Sequence, residues 1–119
     1  MAEQKVVYTY TATIYVGLKD MGSGHTRPLD DVRMLISAYV NEMDLCVSMK
    51  PTEFIYSNDA GEDYAGEPGI EVCLINYPQS PGIPQELEFN ALGLARLLKV
   101  LCKQERICVV FPDKTIMLS

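Results

Sequence analysis

Apolar and polar residues alternate from position 6 to position 16, with Val6, Tyr8, Tyr10, Ala12, Ile14 and Val16 on one side and Thr9, Thr11 and Thr13 on the other. Successive strand residues point to opposite faces, so this stretch predicts a β-strand with one buried side. Residues 19–27 (KDMGSGHTR) follow as a glycine-rich loop. Pro28 suits the first turn of a helix, where its missing N–H has no bond to lose. That helix would bury Val32, Leu35, Ile36, Tyr39 and Val40, and Asp30 and Asp31 sit where carboxylates meet the positive end of the helix dipole.

The β-branched and aromatic residues of 45–56 predict a second strand, which Pro51 restricts to an edge, a bulge or a break. Residues 57–69 hold three glycines, a proline and four acidic side chains, the pattern of a turn or loop. Residues 70–77 are nearly all apolar and predict a central strand. Three prolines in YPQSPGIPQ exclude helix and central strand there. From about residue 86 to 103, Leu87, Ala91, Leu94, Ala95, Leu98 and Cys102 form the core-facing stripe of a second helix. Residues 106–111 predict a strand, Pro112, Asp113 and Lys114 a turn, and 115–118 a short returning strand. The order is that of an α+β, ferredoxin-like split β-α-β-β-α-β antiparallel sheet with two helices on one face and an extra C-terminal strand. Its other face is left open, a face that such a sheet covers by pairing with another copy or by holding a ligand there, so a homo-oligomer, a dimer or higher, is expected, with the threonine face of the first strand and the C-terminal strand as candidate contacts.

At 119 residues the chain has room for a single α+β domain spanning 1–119 and one core. Its apolar runs are far shorter than a membrane span, and the N-terminus lacks the pattern of a signal peptide, so a cytoplasmic protein with no membrane partner is expected. Sixteen Asp and Glu against ten Lys and Arg give a net charge of −6, which argues against polymeric nucleic acid as a partner. A small anionic ligand held by local donors stays open. Cys46, Cys73, Cys102 and Cys108 lack CxxC spacing, and the lone His25 is remote from them, so they read as buried thiols without metal or disulfide.

No arrangement of nucleophile, base and orienting carboxylate is evident, so neither catalysis nor a cofactor is expected. The loop GSGHTR brings His25 and Arg27 before a helix N-terminus, where N–H groups and a guanidinium suit phosphate, but it lacks the spacing of a P-loop. An ordinary connection is the alternative. Asp59, Glu62 and Asp63 do not follow a calcium-loop order. Tyr77, Asn90 and Arg106 stand at element ends. If those ends converge, Tyr77 stacks a base, Asn90 reads its edge and Arg106 meets a phosphate.

The segments TATIYVGLKD and LARLLKVLCKQERICVVF, with a Thr and an Asp ahead of the first helix, resemble small phage proteins of the anti-Thoeris sponge family. The resemblance implies a homo-oligomer that binds and sequesters, without cleavage, a cyclic nucleotide immune signal of the cyclic ADP-ribose type, and also cyclic oligonucleotides, inside an infected host. It carries ligand contacts onto Arg106, Asn90 and Tyr77. The alternative expectation is a protein-interaction or structural module without a small ligand. A cyclic-nucleotide hydrolase with His25 as base is a third reading.

Overall fold

The computed structural model describes residues 3–20, 22–56 and 66–119. Among them the order is β1 (Thr11–Gly17), α1 (Leu29–Met43), β2 (Cys46–Phe54), β3 (Glu67–Ile75), α2 (Pro84–Leu101), β4 (Ile107–Val110) and β5 (Thr115–Leu118). One antiparallel sheet runs β2-β3-β1-β4-β5. This is the ferredoxin-like split order with β5 added outside β4.

The core lies between the sheet and the helices. Ala12, Ile14 and Val16 of β1, Ile70, Val72 and Leu74 of β3, and Ile107 and Val109 of β4 are buried on one face. Against them pack Val32, Ile36 and Tyr39 of α1 and Ala91, Leu94, Ala95 and Leu98 of α2, with Leu87 buried at the start of the same helix stripe. Both predicted helical stripes are therefore core, with Leu35 and Val40 half-buried at its margin. Tyr39 Oη donates to the Asn90 carbonyl at 2.9 Å, joining the helices where α2 carries Gly93 in place of a larger residue.

Several predicted boundaries move. The first strand starts at Thr11, and Val6 and Tyr8 are 88% and 86% exposed. β3 ends at Ile75, opposite Thr11, so the earlier residues have no ladder, although Tyr10 still packs half-buried against the core. Asn76 carries the contact three residues further, to Tyr8: its backbone N–H donates to the Tyr10 carbonyl at 3.0 Å and its Nδ2 to the Tyr8 carbonyl at 2.9 Å, while its Oδ1 accepts from the Gly82 N–H at 2.9 Å. Glu67, Pro68 and Gly69, expected in a loop, belong to β3 because Phe54, Glu53 and Thr52 pair with them. Pro51 is tolerated because β2 is an edge strand. The acidic positions Asp59, Glu62 and Asp63 lie outside the described residues. Only Cys102 is a buried thiol; Cys46, Cys73 and Cys108 are half-buried, the last two at strand positions that alternate with the core residues and so face the open side.

Candidate functional site

The open face is set by strand register. Tyr15 lies beside Glu71 of β3 and Cys108 of β4, Glu71 beside Lys50 of β2, and Cys108 beside Met117 of β5. One step along, Gly17 pairs with Gly69. The absent side chain of Gly69 makes room for the ring of Phe54, which occupies the space a Cβ would take. Gly17 makes room likewise for the Gln104 side chain, whose Nε2 donates to the carbonyls of Lys19 at 2.7 Å and Cys102 at 2.9 Å. The Phe54 ring meets Tyr15 edge to face, centroids 6.4 Å apart at 65°.

Around this pair opens a cleft of about 640 Å³, within the range of small-molecule sites. Tyr15, Phe54, Tyr56 and Met117 supply apolar wall, and Glu67, Glu105 and Arg106 supply charge. Glu71 is paired with Lys50 at 3.7 Å, whereas among the described residues no ion pair engages Glu67, Glu105 or Arg106. Burial, then the nearby charges of Glu67 and Cys108, raise the Tyr56 phenol above its ordinary pKa, so it stays a neutral donor at neutral pH. An aromatic wall flanked by two carboxylates and a guanidinium suits a ligand with a flat ring, a cationic centre and a carboxylate.

The residues singled out from sequence do not converge. Arg106 lines this cleft at the Gly17 end of the sheet. Tyr77 follows Ile75 at the Thr11 end, more than ~20 Å away along the strands. Asn90 lies in the helical layer, lining a groove with Gln79, Ser80 and Met43. His25 and Arg27 share a third hollow of about 230 Å³ with Asp20 and Lys103. There the loop closes on itself. Asp20 accepts from the Gly22 N–H at 2.8 Å and Ser23 Oγ at 2.9 Å, the His25 N–H donates to Ser23 Oγ at 3.2 Å, and the Gly24 N–H donates to the Asp20 carbonyl at 2.7 Å. These bonds, the Gly22 N–H first, hold the Asp20 carboxyl below its ordinary pKa. Its own carboxylate thus occupies donors that a phosphate would use, and Arg27 is turned to Asp31 at 3.4 Å.

Sequence reasoning missed Tyr15, Phe54, Tyr56, Glu67, Glu105, Cys108 and Met117. One signal was present: Tyr15 shares parity with Thr11 and Thr13 and so belongs to the open face. Among the described residues no group of three His, Cys, Asp or Glu is placed to hold a metal ion, and no helix is long and apolar enough to cross a membrane.

The molecule is thus an α+β sheet protein with a ligand-sized cleft on its open face. No family model matches the chain, and no curated relative matches it. Among solved structures it is similar to a phage SAM lyase in complex with S-methyl-5'-thioadenosine, at a TM-score of 0.74 and 17% identity over 100% of this chain and 95% of that one. It is likewise similar to a phage SAM lyase in the apo state, at 0.73 and 17% over 92% and 88%. The expectation of a chain with no catalytic role is corrected by this likeness. The fold shared along its length carries a lyase, so the missing triad and P-loop signatures do not exclude catalysis.

Proposed function

We propose that the protein is a lyase acting on an adenosyl sulfonium of the S-adenosylmethionine class, bound in the cleft of Tyr15, Phe54 and Tyr56. One observation carries the reading: a fold shared along the whole chain with a SAM lyase coincides here with an aromatic cleft bordered by two carboxylates and an arginine. The rings of Tyr15, Phe54 and Tyr56 offer faces to the adenine and the sulfonium, whose positive charge is attracted to both aromatic faces and carboxylates. Glu67 and Glu105 hold the cationic centre, and the planar fork of Arg106 takes the amino acid carboxylate.

Lyase cleavage breaks a carbon–sulfur bond without water. The bond's electron pair goes to sulfur and leaves a neutral thioether. The carbon fragment balances by closing onto its own carboxylate oxygen or by giving an adjacent proton to Glu67 or Glu105. Positive charge on sulfur is lost as the bond breaks, and an apolar wall favours that loss over a fully solvated cation. Glu67 and Glu105 also attract the bound cation, so part of their effect falls on KM.

The test is incubation of the purified protein with S-adenosylmethionine, with S-methyl-5'-thioadenosine and the carbon fragment followed by chromatography. Accumulating thioether, reduced in Glu67→Gln and Glu105→Gln, is the expected result. Recovery of intact S-adenosylmethionine, with no rise in melting temperature from substrate or thioether, overturns the reading. A melting shift confined to cyclic ADP-ribose isomers would move the ligand to the class that the anti-Thoeris resemblance implies.

A further inference from the structure

The two edges of the sheet are built differently. An edge strand presents a row of unpaired main-chain N–H and C=O groups, which proteins guard with proline or charge. β2 is guarded: Pro51 lacks a donor, and Lys50 and Glu53 place charges along it. β5, the outer strand on the other side, reads Thr115, Ile116, Met117, Leu118, with no proline and no charge.

At the other end of the chain, residues 3–10 precede β1 without belonging to a strand of the sheet. Val6 and Tyr8 stand 88% and 86% exposed in a segment whose composition is that of a strand. Asn76 fixes its line through the Tyr8 and Tyr10 carbonyls. The chain's own β5 is out of reach, because β4 lies between β1 and β5. Residues 6–17 contain no charged side chain, and neither does β5. In a chain of net charge −6, these are segments that two copies can bring together without like-charge repulsion.

We propose that residues 6–9 of one copy add as a strand to the outer edge of β5 in a second copy. Each copy then donates one segment and accepts another, a head-to-tail contact that forms a ring when the rotation closes. Main-chain hydrogen bonds supply the attraction. Val6 and Tyr8, which touch little in the single chain, supply the side-chain contact.

The test is sedimentation at micromolar concentration. The full chain should sediment as a multiple of 13.3 kDa. Val6→Asp/Tyr8→Asp, and separately Met117→Asp, should sediment as the single chain and retain the parent's circular-dichroism spectrum. A photo-crosslinking amino acid at position 8, in a mixture of isotopically heavy and light chains, should attach to the 115–118 peptide of another copy. A single-chain parent, an assembly unchanged in both variants, or attachment elsewhere would each overturn the proposal. Mass and crosslinking need no substrate, so this outcome is separable from that of the lyase reading.

Discussion

Gly93 stands half-buried in α2 where Tyr39 of α1 crosses it. A Cβ there would meet Tyr39 Oη at 2.5 Å and Cζ at 3.5 Å. In an exposed helix interior Gly→Ala stabilises by about 1 kcal/mol. Here the methyl must displace the hydroxyl: overpacking costs about 1–3 kcal/mol, and the lost bond to the Asn90 carbonyl costs about 1 kcal/mol more. Gly93→Ala should therefore destabilise the protein by about 1–3 kcal/mol. Tyr39→Phe removes the colliding oxygen and one hydrogen bond, costing about 1 kcal/mol by itself. In that background the methyl meets only a ring carbon at ordinary contact distance, so Gly93→Ala should become stabilising by about 1 kcal/mol. Urea titration of the four proteins measures this change of sign as a coupling of about 2 kcal/mol or more. An equal, stabilising effect of Gly93→Ala in both backgrounds would refute the reasoning, because Tyr39 would then not be seated on Gly93.

Arg106→Ala should raise the half-saturating S-adenosylmethionine concentration by roughly 10-fold to 100-fold, the loss of a charge-assisted bond, in steady-state assays. Asn76→Ala leaves the Gly82 N–H and the Tyr8 carbonyl without their side-chain partner, and should cost about 2–3 kcal/mol in urea titration. Burial pushes the Cys102 thiol up to about 11 from its ordinary 9, with Arg27 opposing. The folded state therefore keeps a proton that the unfolded chain releases. Its contribution is fully present below pH ~9 and is lost between ~9 and ~11, about 2–3 kcal/mol in all. Cys102→Ala should flatten that slope in denaturant midpoints measured across the same window. Gly69→Ala puts a Cβ into the Phe54 ring and 2.8 Å from the Val16 carbonyl oxygen. It should displace Phe54 and weaken thioether binding, read by calorimetry.

The Tyr77, Asn90 and Arg106 grouping failed for a geometric reason. Residues at element ends divide between the two ends of a sheet, and periodicity does not say which end. Tyr77 follows the Ile75 end of β3, while Arg106 precedes β4 at the level of Gly17. The glycine-rich loop showed the donors that suit an anion, but only the folded loop revealed that Asp20 already takes them. The absence of a catalytic signature misled in a similar way, since a cleft assembled from five strands and the segments between them leaves no local spacing to read.

Pro51 narrowed its strand to an edge, a bulge or a break, and local periodicity carried the elements, the helical core stripes from Val32 to Cys102 and, unread, the parity that puts Tyr15 on the open face. These depend on the 3.6-residue and two-residue repeats, which any segment displays by itself. Tertiary structure decided where the first strand begins, which face Cys73 and Cys108 present, and the cleft. The cleft joins Tyr15 of β1, Phe54 and Tyr56 at the end of β2, Glu67 of β3, Arg106 beside β4 and Met117 of β5. Those residues become neighbours only through strand order and register, and the pairing of Gly17 with Gly69 seats the Gln104 side chain and the Phe54 ring against the sheet. Pairing between distant segments is a property of the packed sheet, because the free energy that selects it comes from burying all the strands together.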